Sequence, residues 1–385
     1  MRIALVAAEP SGDQLAAGLM RRISEIHPGV RFEGIGGEAM LAAGLDSFAP
    51  MERLSVMGLV EVLGRLPELL RLRRNLVRHW KDQPPDLFIG VDAPDFNLRL
   101  ETLLREKGVP TIHYVCPTVW AWRPGRVKKI RRAADLVLSI FPFEKKFLQQ
   151  HQVPGTYVGH PMAADYPLEP DPAGARAALG LKADAPVLAL LPGSRAGEVK
   201  RLAPAFLGAA QVCAEQLAGL QVITPLATQG TQADFQQIRQ QHAPHLDITL
   251  VRNNTRQALE AADVVLVASG TATFEALLCK RPMVVGYRLN ALTHGIIRGL
   301  NMLQIEHVSM ANLLSREPLA GEYLQGDCTS PKLAEALLRL FNDPGRRAHI
   351  AARYRQVHEA LIMDTNDLAA RAVLKLYQGR MNKSE

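Results

Sequence analysis

Apolar positions along the chain fall into short, near-continuous runs separated by stretches with apolar residues at helical spacing. In the first half the runs are Ile3–Ala7, Phe32–Ile35, Leu87–Val91, Ile112–Val115 and Leu136–Ile140. Helical patterns lie between them at Gln14–Ile26, Val62–Trp80, Phe96–Lys107, Arg126–Ala134 and Phe143–His151. A strand that is apolar on both faces belongs to a parallel sheet covered by helices on each side. The alternation therefore predicts an open, doubly wound α/β sheet. Five prolines between Pro154 and Pro172 mark a linker. A second alternation follows, with runs at Val187–Leu191, Val222–Pro225, Ile248–Val251, Val264–Val267 and Met283–Val285. From Pro331 onward the pattern is helical, broken at Asp343-Pro344-Gly345.

The expected architecture is two Rossmann-like domains facing a cleft, with helices at the C-terminus. Ligands in such sheets bind beyond the carboxyl ends of the strands, so the loops there carry the candidate chemistry. Glu9 follows the first apolar run, and Ser11 with Gln14 matches a capping box. Asp92 ends Leu87–Val91, and Asp95 stands at an expected helix N-cap. Asp92 is the better candidate for a general base, with a structural hydrogen-bonding role as the alternative. In the second half, Gly193-Ser194-Arg195 and Ser269-Gly270-Thr271 each join a strand to a helix. Backbone N–H groups at a helix start attract anions, and an arginine fork grips phosphate. Two such loops on one sheet edge suit a diphosphate. Glu275, about one turn into the next helix, can reach sugar hydroxyls beside it.

Length and composition fit this frame. A chain of 385 residues is expected to form two domains. Its four cysteines, Cys116, Cys213, Cys279 and Cys328, form no CxxC pair and read as core residues of a reducing compartment. The Met1-Arg2 start runs straight into the first strand, with no signal peptide expected. No apolar run is long enough to cross a bilayer. The net charge of +7 is concentrated: Arg65–Lys81 holds six basic residues and one acidic, and Arg123–Arg132 holds six basic residues and no acid. Such clusters favour phosphate-bearing or membrane partners, and a solvated helix face is the alternative. Leu54–Leu72 is amphipathic and leads into the first cluster, where Arg71, Arg73, Arg74 and Arg78 share a helix. Trp120 and Trp122 beside Arg123 read equally as a sugar platform, a membrane-interface belt or core packing.

The loops carry a resemblance. Glu9–Asp13 (EPSGD), Ser55–Leu63 (SVMGLVEVL), Gly90–Asn97 (GVDAPDFN), His113–Arg123 (HYVCPTVWAWR), Pro142–Phe147 (PFEKKF) and Gly159–Met162 (GHPM) occur in order. Leu190–Val199 (LLPGSRAGEV), Ser269–Ala276 (SGTATFEA), Pro282–Arg288 (PMVVGYR) and Ala311–Leu314 (ANLL) follow. Together they resemble the lipid-A-disaccharide synthase family of inverting GT-B glycosyltransferases, family 19, over most of the chain.

The resemblance implies transfer of 2,3-diacylglucosamine from UDP to the 6-hydroxyl of 2,3-diacylglucosamine 1-phosphate. It implies Asp92 as base, Glu9 and Ser11 near the reacting sugars, and Met57 in the acyl-binding region. Arg195, Ser269, Gly270, Thr271, Glu275, Asn312 and Gln325 fall to the donor. No metal or cofactor is expected, and no nucleic-acid partner. Residues 1–160 would bind the acceptor and lipid, and residues 161–385 the UDP-sugar. The protein is expected in the cytoplasm, peripheral at the inner face of the inner membrane on an anionic surface. Association as a homodimer is left open. Ala8 stands where the family usually has glycine, and Met310-Ala311 precede Asn312 where Leu-Pro is expected. Two other classes compete: a UDP-sugar epimerase of the same architecture, needing no acyl surface, and a nucleic-acid binder. The binder would explain the charge but neither the paired loops nor Asp92.

Overall fold

The computed structural model describes residues 1–54, 59–117, 127–226, 228–252, 254–288 and 307–381, without the side chains of 59–64 and 381. The chain divides into two units, Met1–Ala164 together with Ile362–Glu385, and Asp165–Leu361.

The first unit holds strands β1 (Arg2–Ala7), β2 (Arg31–Ile35), β3 (Leu45–Ser47), β4 (Leu87–Val91), β5 (Thr111–Tyr114), β6 (Leu136–Ser139) and β7 (Gly155–Tyr157). They form one sheet in the order β3-β2-β1-β4-β5-β6-β7. Its helices are α1 (Pro10–Ile26), α2 (Glu38–Ala42), α3 (Leu59–Asp82), α4 (Pro94–Arg105), α5 (Val127–Ala133), α6 (Pro142–Gln150) and α7 (Pro161–Asp165). Every pairing is parallel, as strands buried on both faces require. Ile3, Leu5, Leu87 and Ile89 pack toward one layer of helices, and Ala4, Val6, Phe88 and Trp80 form a separate cluster.

The second unit repeats the plan. After α8 (Pro172–Ala178) come β8 (Val187–Leu191), α9 (Ala196–Gln216), β9 (Gln221–Leu226), α10 (Gln229–His242), β10 (Ile248–Arg252) and α11 (Thr255–Ala261). They are followed by β11 (Val264–Ala268), α12 (Thr271–Leu278), β12 (Met283–Tyr287), α13 (Met310–Ser315), β13 (Gly321–Leu324), α14 (Ser330–Asn342) and α15 (Pro344–Leu361). The strand order is β10-β9-β8-β11-β12-β13. Both sheets therefore run 3-2-1-4-5-6 in chain order, the first with a seventh strand added at the end, and each has a topological switch between the first and fourth strands.

The last helix, α16 (Thr365–Met381), belongs to the first unit. It buries Ala369, Ala370 and Val373 in the core around β1. Arg22 donates to Asp367 at 2.6 Å, and a Cβ on Gly18 would lie 2.5 Å from Asn366 Oδ1, so glycine permits the close approach. The sequence placed everything after residue 160 in one domain; the boundary lies after Ala164, and the chain crosses back at Ile362. The proline-rich stretch holds an edge strand and short helices, β7, α7 and α8.

Two caps differ from expectation. The N-cap of α1 is Glu9, with Pro10 at the first helical position, so Ser11 lies inside the helix. The N-cap of α4 is Ala93, with Pro94 at the first position, so Asp95 lies in the first turn. In both, proline sets the start, because its fixed φ suits the first turn and it has no N–H to satisfy. Asp13 is buried and accepts from Gly37 N, Ala39 N and Met40 N at 2.8, 3.0 and 3.1 Å, closing the start of α2.

Candidate active site

In the first unit, β1 and β4 are neighbours in register, with Ala7 opposite Val91. The residues that follow them, Glu9 and Asp92, therefore emerge at the same edge, where the strand order reverses. Helix α1 starts tight against that edge: a Cβ on Gly12 would meet Val91 Cγ1 at 3.4 Å. Asp92 and Ala93 both have left-handed backbones, φ 50° and 43°. Such a conformation in consecutive non-glycine residues costs of order 1–3 kcal/mol each and gathers at functional sites. Asp92 N donates to Tyr114 O at 2.8 Å, fastening the turn to β5. Glu9 and Asp92 are half-buried, and Ser11 and Asp95 are exposed.

In the second unit, β8 and β11 are likewise neighbours, with Leu191 opposite Val267. Their loops carry Gly193-Ser194-Arg195 and Ser269-Gly270-Thr271. Gly193 has φ 117°, and a Cβ there would lie 2.5 Å from Glu198 Cβ, so the turn requires glycine. Arg195 is the N-cap of α9 and is exposed. Gly270, φ 149°, precedes α12, and Thr271 at its start is exposed.

A third loop is pinned to the second. Ser269 Oγ donates to Val308 O at 3.0 Å, and Thr273 Oγ1 accepts from Met310 N at 3.1 Å while donating to Gly270 O at 2.8 Å. Asn312 is thus brought beside the Ser269–Thr271 loop. Its side chain is buried and engaged: Nδ2 donates to Ala320 O and Glu322 Oε1, both 2.9 Å, and Oδ1 accepts from Ala320 N at 2.8 Å. Glu322 also accepts from Val308 N, Ser309 N and Ser309 Oγ. The carboxylate hub that holds Asn312 was not legible in the sequence.

Glu275 lies one turn into α12 and accepts from Tyr166 Oη at 2.9 Å. Burial raises its carboxyl above the ordinary range, and the Tyr166 hydrogen bond acts against that shift. The Tyr166 ring carries the Arg256 guanidinium 5.1 Å from its centre. Gln325 follows β13 at the outer edge of the same sheet, with a left-handed φ of 52°. Met57, with Val56, Trp120, Trp122 and Arg123, lies outside the described residues.

The basic helix is partly as expected. In α3, Arg71, Arg74 and Arg78 are exposed, as are Leu66 and Leu70, at 40% and 38%. Arg73 instead turns inward, its guanidinium 5.9 Å from the centre of the Phe96 ring. The four cysteines are buried and free. Among the described residues, no helix is long and apolar enough to cross a membrane.

Comparison with known proteins narrows what this arrangement does. The family model described as lipid-A-disaccharide synthetase matches residues 3–376. The lipid-A-disaccharide synthase of Alkalilimnicola ehrlichii is 50% identical over 376 residues, covering 97% of this chain and 98% of that protein. That of Pseudomonas aeruginosa is 49% identical over 380 residues, 99% of each. Among solved structures, a UDP-GlcNAc 2-epimerase from Neisseria meningitidis bound to UDP-GlcNAc superposes with a TM-score of 0.61 at 9% identity, covering 98% of this chain and 100% of that one. A sucrose-phosphate synthase from Thermosynechococcus elongatus gives 0.59 at 14% identity, covering 100% of each chain. The fold is the GT-B α/β architecture, shared by transferases and epimerases alike, and sequence makes the distinction that fold does not. Matched across nearly its whole length by sequence, the chain belongs to the lipid-A-disaccharide synthase family of glycosyltransferases.

Proposed function

We propose that each unit supplies half of one inverting glycosyl transfer. The 2,3-diacylglucosamine unit leaves UDP and joins the 6-hydroxyl of 2,3-diacylglucosamine 1-phosphate, giving the β-1,6-linked disaccharide 1-phosphate and UDP. The first unit takes the acceptor. Asp92 removes the proton from the attacking hydroxyl, and Glu9 and Ser11 border the reacting sugars. General-base help of this kind is worth about 10²–10⁴-fold in rate.

The second unit takes the donor. As the sugar–phosphate bond breaks, negative charge builds on the UDP leaving group. Arg195 and the N–H groups around Ser269, Gly270 and Thr271 answer it, an electrostatic stabilisation aimed where charge develops. Glu275 accepts from ribose hydroxyls. Asn312 acts by bracing, through Ala320 and Glu322, the loop that Met310 N fastens to Thr273, and Gln325 borders the donor from the end of β13.

The observation that carries this reading is the coincidence of chemistry with topology. In each sheet the two candidate loops follow the adjacent strands between which the strand order reverses, where doubly wound sheets bind ligands. An epimerase would need the donor loops but no base for an acceptor hydroxyl. Both substrates carry acyl chains, so the enzyme meets them as a peripheral protein on the anionic, cytoplasmic face of the inner membrane. Incubating the protein with both lipids and separating the products tests the assignment. Disaccharide and UDP should appear in equal amounts and only when both substrates are present. UDP release without disaccharide, or sugar isomerisation, would reject it.

A further inference from the structure

Asp92 sits in a turn that needs an external hold. Two successive left-handed residues, neither of them glycine, are unfavourable unless their surroundings fix them. The hold comes from α4. Asn97 is fully buried, and its Nδ2, with two hydrogens to give, donates to Asp92 O at 2.9 Å and lies within hydrogen-bond reach of Val6 O and Val91 O at 3.2 and 3.3 Å. One amide thus gathers the ends of β1 and β4, which lead to Glu9 and Asp92, and the carbonyl of Asp92 itself. Phe96 N and Asn97 N both donate to Ala93 O at 3.0 Å, closing the turn from the backbone side.

Glu101 and Asn97 both lie against Gly90 of β4. A Cβ on Gly90 would lie 2.2 Å from Glu101 Oε1 and 2.9 Å from Asn97 Cβ, so only glycine lets α4 press this close to β4. Glu101, one helical turn beyond Asn97, sits 2.6 Å from His113 Nδ1 on β5, and both side chains are fully buried. Asn97 Oδ1, Glu101 Oε2 and His113 Nε2 have no hydrogen-bond partner among the described residues. Apolar side chains would pack this interior at lower cost. Polar groups here make sense if their role is geometric.

We propose that Asn97 is a positioning residue for Asp92 and that it fixes the direction of the base toward the acceptor hydroxyl. The inference rests on the reading of Asp92 as general base. A misplacement of about 1 Å at a reacting group can cost about 10²-fold in rate. Binding of the nucleotide, which falls to the second unit, should not feel it.

The test is a double-mutant comparison. Asn97→Ala and Asn97→Asp, the latter removing the donor at nearly constant shape, are measured alone and in an Asp92→Asn background. Each alone should lower kcat by roughly 10- to 100-fold, with UDP affinity unchanged. In the Asp92→Asn background the same changes should have almost no further effect, because no base remains to be aimed. A loss that multiplies with that of Asp92→Asn, or an unchanged kcat in both single variants, would overturn the role. Absence of a cooperative thermal transition in both variants would make Asn97 a stability residue and overturn it equally. Near-wild-type turnover by Asp92→Asn alone is a different result: it removes the base and the inference with it.

Discussion

Tyr166 Oη donates a 2.9 Å hydrogen bond to Glu275 Oε1 within the second unit. Burial and the neighbouring carboxylate push the phenol upward, so Tyr166 stays protonated and remains a donor. The bond holds the Glu275 carboxylate in one orientation for the ribose hydroxyls assigned to it. Tyr166→Phe is expected to weaken UDP binding roughly three- to tenfold, the net scale of one hydrogen bond. Glu275→Gln should weaken it at least as much. Calorimetric titration with UDP measures both, and unchanged affinity in the pair would put the ribose elsewhere.

Arg195 caps α9 at the end of β8, exposed and beside the strand that leads to Ser269–Thr271. Arg195→Ala should raise the Kd for UDP by about 10- to 100-fold, the range of a charge-assisted hydrogen bond. The wild-type affinity should fall with added salt more steeply than that of the variant. Acceptor affinity should not change. A variant that binds UDP as wild type does would remove the diphosphate from this loop.

On α3, Leu66, Leu70, Arg74 and Arg78 are four residues apart and share one face, with Arg71 beside them. Each basic residue near an anionic surface contributes about 1 kcal/mol, so three support reversible docking. Reversing Arg71, Arg74 and Arg78 to Glu should lower sedimentation with anionic vesicles at least tenfold at low salt. Turnover in neutral detergent micelles should be spared. Arg73 is left out of the variant because its contact with Phe96 makes it part of the packing. Undiminished vesicle binding would exclude this helix as the docking face.

His160 titrates in a window set by its surroundings. Burial depresses it from 6.5 to about 4, and its Nδ1 accepts from Met162 N at 3.2 Å, which requires the neutral ring. Between those two values the unfolded chain binds the proton and the folded one does not. Stability therefore falls as pH drops from about 6.5 toward 4 and is regained on return. In His160→Gln this contribution to the slope disappears. Thermal midpoints measured from pH 7 to 4 should fall more steeply for wild type than for the variant; parallel curves would contradict the assignment.

The strands at the centre of each sheet, β1, β4, β8 and β11, were legible because each is apolar on both faces, a pattern that few other elements share. β3, β7 and β13 were not: they are three or four residues long, lie at or beside the sheet edges and include Asp46, Gly155 and Gly321. The capping errors at Ser11 and Asp95 have one cause. Pro10 and Pro94 take the first helical position and move each N-cap to the residue before them. The strand-end loops stood out because glycine, serine and acidic residues interrupt apolar runs there. Two of their supports did not, since Asn97 reaches Val6 and Tyr166 reaches Glu275, 91 and 109 residues away, distances no spacing rule spans.

The central claim is that Asp92, at the switch point of the first sheet, is the base. Asp92→Asn keeps the size and the backbone bonds of the turn while removing the proton acceptor. Disaccharide formation at saturating substrates should fall by at least about 10²-fold, with the thermal midpoint and UDP affinity as in wild type. Turnover within a few-fold of wild type would contradict the account and pass the role to Glu9 or Asp95.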